Sequence, residues 1–355
     1  MKRIIGLALA SLLLCTACQK EGTKVVEKAD TYRLLVKSQG KYGFCDQKGQ
    51  MVVPAQYENA SIFSEGLAAV RQNGKDGYID VKGNMVIPPR FDAGSIFKEG
   101  KAAVKSGNRW SYIDKSGKQI TESRYVFTFA FTEGLASVVV VEKDGYKAGY
   151  IGKDGKFAIT PRFFDASFFS EGFASVRMGK QRGYIDKTGK MIIEPQYFEA
   201  GPFKDGLARV KINGKYGRVG FIDPKGTLVI PALYVNATNF NEGVAAVSKD
   251  GKWQLIDTKG TPIINRQFDS PTIFTEGLAP VMEEKKIGYM DKQGKMVIAP
   301  KYEAGSIFVN GLAPVKVGEK CGYIDKKGEM VIKPEFDWDG RLIDQYTSYN
   351  TTFIR

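Results

Sequence analysis

Residues 77–88 read Gly77-Tyr78-Ile79-Asp80-Val81-Lys82-Gly83-Asn84-Met85-Val86-Ile87-Pro88, two short apolar runs on either side of Asp-x-x-Gly. Aspartate at the first position and glycine at the fourth are the signature of a type I turn. The copy Asp223-Pro224-Lys225-Gly226 settles the turn type, because Pro224 stands at the second position, where its fixed φ suits type I and would oppose a strand. The two runs are therefore predicted to be antiparallel strands. Upstream, Ala-Ala-Val runs into Asn73-Gly74, Asp144-Gly145, Asn213-Gly214 or Asp250-Gly251, dipeptides that favour the positive φ values of a type I′ hairpin. Each unit is expected to be a three-stranded meander.

The meander repeats. Its second strand recurs at Gly43, Gly77, Ser111, Gly149, Gly183, Gly220, Gln254, Gly288 and Gly322, with spacings of 34, 34, 38, 34, 37, 34, 34 and 34. A block Phe-x-Glu-Gly-Leu-Ala-x-Val follows each of the first eight, from Phe63–Val70 to Phe308–Val315. Met-Val-Ile-Pro lies between the two blocks, and its proline is missing from units three and seven. Proline is expected to stop strand pairing, leaving a connector with two aromatics, such as Phe91 and Phe97, that stack between neighbouring units. One such sheet cannot offset a conformational entropy cost of roughly 1.5 kcal/mol per residue, so the units must pack on one another to fold. The expected fold is all-β: nine meanders stacked as an elongated β superhelix, with its ends capped by residues 24–38 and 335–355. The alternative is closure into a propeller-like ring, which would bring Cys45 and Cys321 together.

The blocks resemble the bacterial WG repeat, also called KWG, which runs Gly-Lys-Trp-Gly-Tyr-Ile-Asp, turn, Val-Ile-Pro, Phe-x-Glu-Gly-Leu-Ala. Gly251-Lys252-Trp253 and Asn108-Arg109-Trp110 sit at its tryptophan position, with Gln254 and Ser111 replacing the following glycine. The resemblance implies an exported or envelope-associated protein with no common catalytic activity, and it supplies no functional residues.

The N-terminus carries an address. Lys2-Arg3, the apolar run Ile4–Leu14 and Cys15-Thr16-Ala17-Cys18 form a segment too short to span ~30 Å of hydrocarbon as a lasting helix, and they read as a signal peptide over residues 1–18. Small Ala17 before Cys18 resembles the bacterial lipoprotein signal, with acylation at Cys18; bulky Leu14 argues against Cys15. Residues 19–30 then form a polar tether, 31–338 the repeats and 339–355 a C-terminal cap. The protein is expected to be a monomer anchored to a bacterial membrane, with the outer membrane or cell surface favoured.

Composition limits the chemistry. The 355 residues include no histidine, which removes Ser-His-Asp and Cys-His nucleophiles and His-ligated metals. The 52 Lys and Arg against 39 Asp and Glu give +13, or +11 once Lys2 and Arg3 are cleaved away. Lys115, Lys153, Lys187, Lys292, Lys326 and Lys327 fall in turns that stacking would align into a basic edge attractive to anionic envelope polymers or headgroups. Nucleic acid is not expected as a partner, since the chain carries no recognition helix or stacking motif. The acids Glu65, Glu99, Glu133, Glu171, Asp205, Glu242 and Glu276, followed by Asn310, are equivalent copies and read as caps of turns rather than as a glycosidase pair. The Asp46, Asp80, Asp114 and Asp186 series reads as capping its own turn, with a Ca²⁺ ladder as the alternative. Trp110 and Trp253 are the candidate ligand-binding aromatics, although packing is the plainer role for both. No cofactor is expected. The function that emerges is a non-enzymatic envelope lipoprotein binding a protein or a polymeric glycan or anionic partner; the alternatives are a carbohydrate-active hydrolase using an Asp/Glu pair and a passive spacer.

Overall fold

The computed structural model describes residues 32–340. The signal peptide with Cys18, the tether, and most of the C-terminal cap lie outside them. All named elements are strands, and they form nine antiparallel sheets, one per repeat.

The first two units show the pattern. Unit one is β1 (Leu34–Ser38), β2 (Lys41–Cys45) and β3 (Met51–Tyr57); unit two is β4 (Asn59–Ala60), β5 (Leu67–Gln72), β6 (Lys75–Asp80) and β7 (Met85–Phe91). The expected meander is β5-β6-β7, and β4 is an additional innermost strand, made by the connector as Asn59 and Ala60 pair with Arg71 and Val70. The Asp-x-x-Gly turn is as the sequence dictates, but of the four expected type I′ dipeptides only Asn73-Gly74 forms a two-residue hairpin with both φ positive. At Asp144-Gly145 and Asp250-Gly251 only the glycine is positive, and Asn213-Gly214 sits in a longer loop between Lys211 and Val219. The Gly83 amide donates to the Asp80 carbonyl at 2.9 Å, while Asn73 and Gly74 take φ of 52° and 73° in the β5–β6 hairpin.

Proline does not end the strand. β7 continues through Pro88 and Pro89 to Phe91, which pairs with Asp76, although Tyr78 pairs with Ile87. The surplus residues form a bulge directly over Gly77, where a Cβ would lie 2.5 Å from the Ile87 carbonyl oxygen. Proline and the bulge both discourage pairing along this outer edge with another chain. Units three and seven lack the proline and also the glycine. There Trp110 and Trp253 bridge to Tyr125 and Phe268 without a continuous outer strand, leaving room for Ser111 and Gln254.

Cores lie between sheets, as the recurrent aromatics imply. Leu67, Tyr78, Ile87 and Phe91 of unit two pack with Phe97, Val104 and Ile113 of unit three. The Tyr78 and Phe97 rings meet edge-on at 5.0 Å, and the buried Tyr78 hydroxyl donates to the Ser95 carbonyl at 2.7 Å. The same kind of cluster closes the chain on itself: Leu34, Val36 and Cys45 of unit one pack with Leu312, Cys321, Tyr323 and Ile332 of unit nine. The nine sheets therefore form a ring, a nine-bladed β-propeller, in place of the elongated superhelix. A rod would leave the apolar faces of units one and nine in water, whereas closure buries both.

Candidate functional site

The ring has two faces. On one lie the Glu-Gly turns and the Asp-x-x-Gly turns; on the other lie the hairpins such as Asn73-Gly74.

The Glu-Gly face is built on a strained position. Glu65, Glu99, Glu133, Glu171, Asp205, Glu242, Glu276 and Asn310 all hold φ between 51° and 53°, a left-handed conformation unusual for a side chain with Cβ. The carboxylate offsets that cost by reaching into the next unit. Glu65 accepts from the Glu99 and Gly100 amides at 2.5 and 2.9 Å, Glu99 from Gly134 at 2.9 Å, and Glu171 from Gly206 at 3.0 Å. The series continues through Asp205 to Gly243, Glu242 to Gly277 and Glu276 to Gly311. These acids cap turns as expected, but each caps its neighbour's turn.

The turn lysines are their counter-ions. Lys115 lies 3.3 Å from Glu65, Lys153 2.9 Å from Glu99, Lys187 3.0 Å from Glu133, Lys292 3.3 Å from Glu242 and Lys326 3.0 Å from Glu276. Glu171 and Asp205 fall opposite Pro224 and Thr258, where no lysine stands. Five of the six lysines expected to form a free basic edge are thus tied into the ring. Burial raises the Glu99 pKa, but the hydrogen bond from Lys153 and the amides of Gly134 and Glu133 overcome it, so its carboxyl stays below the ordinary carboxylate range.

Lys98 of unit three, beside its Glu-Gly turn, is half-buried. Burial, then the Lys204 charge, depresses the Lys98 pKa. The aspartate series is local, as expected: Asp80 Oδ1 accepts from the Lys82 and Asn84 amides at 2.9 Å each, and Asp223 repeats this with Lys225 and Thr227. Among the described residues there is no cluster of metal-ligating side chains. Trp110 and Trp253 lie four units apart, each partly buried against its own core cluster, and the fold does not bring them together.

The hairpin face carries a feature that sequence reading missed. After the last aromatic of each unit comes an acid in five units: Glu58, Asp92, Asp269, Glu303 and Asp337. Four of these accept from the amides of the next hairpin, as Glu58 does from Asn73 at 3.0 Å and Gly74 at 3.1 Å, and Asp92 from Gly107 at 2.7 Å. In the four consecutive units three to six the residue is Val126, Phe164, Phe198 or Val235. Phe164 is 52% exposed, Phe198 41% and Val235 45%. Tyr146, Met178 and Tyr216 on the adjoining hairpins are also exposed. Aligning the nine units on the final aromatic reveals this run.

Comparison with known proteins agrees with the fold. The WG containing repeat matches nine successive segments, from residues 42–75 to 322–338. No curated protein matches the chain. Among solved structures, a eukaryotic initiation factor is similar at 11% identity and a TM-score of 0.52, covering 75% of this chain and 86% of its own. Kluyveromyces lactis Hsv2p aligns at 14% identity and a TM-score of 0.41, over 64% of this chain and 89% of its own.

Proposed function

Because the chain belongs to the WG-repeat family and closes into a nine-bladed propeller, we propose that it is a non-enzymatic cell-envelope lipoprotein, held by an acylated Cys18, that binds a protein partner on its hairpin face. The observation that carries the reading is the run of exposed apolar side chains, Phe164, Phe198 and Val235, in consecutive units. Apolar side chains exposed at the same position of successive units, where the other units carry an acid, favour an interaction surface over isolated apolar exposure. The repeated acids support the non-enzymatic part, since they are engaged in bonds between blades. The described chain enters the ring at the Glu-Gly face, because β1 runs from there to its hairpin, which leaves the hairpin face away from the point of entry.

The test uses lipidated protein on cells, crosslinked and recovered. A partner should be captured by the wild type and lost from the double variant Phe164→Ser, Phe198→Ser, while Lys115→Ser on the opposite face keeps it. Cys18→Ala should move the protein from the membrane pellet to the soluble fraction. Capture indifferent to Phe164 and Phe198 refutes the assignment of the face.

A further inference from the structure

Phe198 stands where Glu58 stands in unit one, and the loop it faces, seven residues between Lys211 and Val219 in place of the two-residue Asn73-Gly74 hairpin, keeps an Asn-Gly pair in the left-handed conformation. Asn213 and Gly214 take φ of 59° and 79°, matching the 52° and 73° of Asn73 and Gly74. In the Asn73-Gly74 hairpin both central amides donate to the Glu58 carboxylate. Beside Asn213-Gly214 there is instead a groove of about 650 Å³ lined by Lys180, Gln181, Gln196, Phe198, Asn213 and Gly214. We propose that this groove binds an acidic polypeptide segment whose carboxylate takes the place of the missing cap on the Asn213 and Gly214 amides, with an apolar neighbour packed on Phe198. The inference rests on the protein-binding reading of this face and adds the chemistry of the partner.

Two further observations point to an acidic ligand. The surrounding charge is basic: Lys143, Arg177, Lys180, Lys215, Arg218 and Lys249 are exposed and make no ion pair among the described residues. The acids nearby are largely occupied, with Asp144 bound to Lys147, Asp165 to Arg182 and Glu199 to Lys211, which leaves Glu142 and Asp250. The feature also repeats. Phe164 faces the Gly179-Lys180 hairpin in the same relation, so an extended segment with carboxylates at intervals engages successive turns and gains from multivalency. Aliphatic Val141, Met178 and Val235 around the two phenylalanines suit the side chains of a polypeptide better than the hydroxyls of a sugar acid.

The test titrates full-length protein with three probes: a synthetic peptide alternating Glu and Leu, its Gln-for-Glu counterpart, and polygalacturonate. The Glu peptide should bind at least about tenfold more tightly than the Gln peptide, as one charge-assisted amide bond implies. Phe198→Glu supplies the cap within the chain. It should raise the unfolding midpoint while cutting peptide affinity about tenfold or more, and Phe198→Leu should do neither. Equal binding of the Gln peptide overturns the carboxylate-capping inference while capture dependent on Phe164 and Phe198 keeps the face assignment. Polygalacturonate binding as tightly as the Glu peptide overturns the polypeptide assignment, and retention of none of the probes overturns the groove as a site.

Discussion

The Gly40 amide donates to Asp337 Oδ2 at 3.1 Å across 297 residues, the same bond that joins Gly107 to Asp92 at 2.7 Å within the chain. Ring closure therefore reuses the hairpin-face cap, and the Tyr323 hydroxyl adds a bond to the Leu35 carbonyl at 3.0 Å. Among the described residues the Glu-Gly staple has no counterpart at the seam, because unit one carries no Glu-Gly turn there; Asp339 instead accepts from Lys37 at 3.1 Å and from the Tyr42 hydroxyl. Asp337→Ala should lower stability by ~1 kcal/mol, the usual cost of a lost charged cap, read as a shift of the denaturation midpoint at unchanged slope. An unchanged midpoint would mean that the seam does not hold in solution.

Cys45 and Cys321 lie in the seam's core, both fully buried and unpaired. Burial pushes each thiol up to about 12, so neither forms thiolate near neutral pH. Native protein should resist iodoacetamide at both positions, and denatured protein should react at both. Rapid labelling of Cys45 in folded protein would show that the ring opens.

The Glu-Gly staples respond to pH. Glu99 has its folded pKa below the ordinary value, so its contribution is present above the unfolded pKa and is lost as pH falls through the folded one. Acid should weaken the wild type more than Glu99→Gln. At neutral pH Glu65→Ala should cost ~1–2 kcal/mol, since it loses two amide bonds and retains a left-handed backbone. Parallel acid titrations of wild type and Glu99→Gln would refute the staple's role in pH dependence.

The glycine under the bulge is sterically required. Gly77→Ala places Cβ against the Ile87 carbonyl and should cost ~1–3 kcal/mol, whereas Ser111→Gly, where no bulge presses, should cost less than ~1 kcal/mol. Equal costs by thermal denaturation would remove the bulge as the reason for the motif.

Much of the fold is legible in the amino-acid sequence. Asp-x-x-Gly fixes a turn from within four residues, and the nine copies fix the number of sheets. Asn-Gly, by contrast, makes a two-residue hairpin at Asn73-Gly74 but not at Asn213-Gly214, where three inserted residues lengthen the loop. Proline's missing N–H, taken alone, predicts an end to pairing, yet in β7 a bulge absorbs Pro88 and Pro89 without breaking the strand. Glu65 is recognisable as a cap but not as its neighbour's cap, because its acceptor role is completed 34 residues away. Trp110 and Trp253 stand out as rare residues, whereas the exposed run through Phe164 and Phe198 lies in other units and emerges only when units are compared position by position.

Sequence by itself determined what one repeat is: its strands, its two turns and the apolar faces that must be covered, all set by interactions within a few residues. Tertiary structure alone decided that nine repeats close on themselves, which charges neutralise each other and which apolar residues stay in water. The reason is geometric. A rod and a ring can be built from the same unit and differ in the rotation between neighbouring sheets, a quantity accumulated over nine interfaces and written in no single 34-residue stretch.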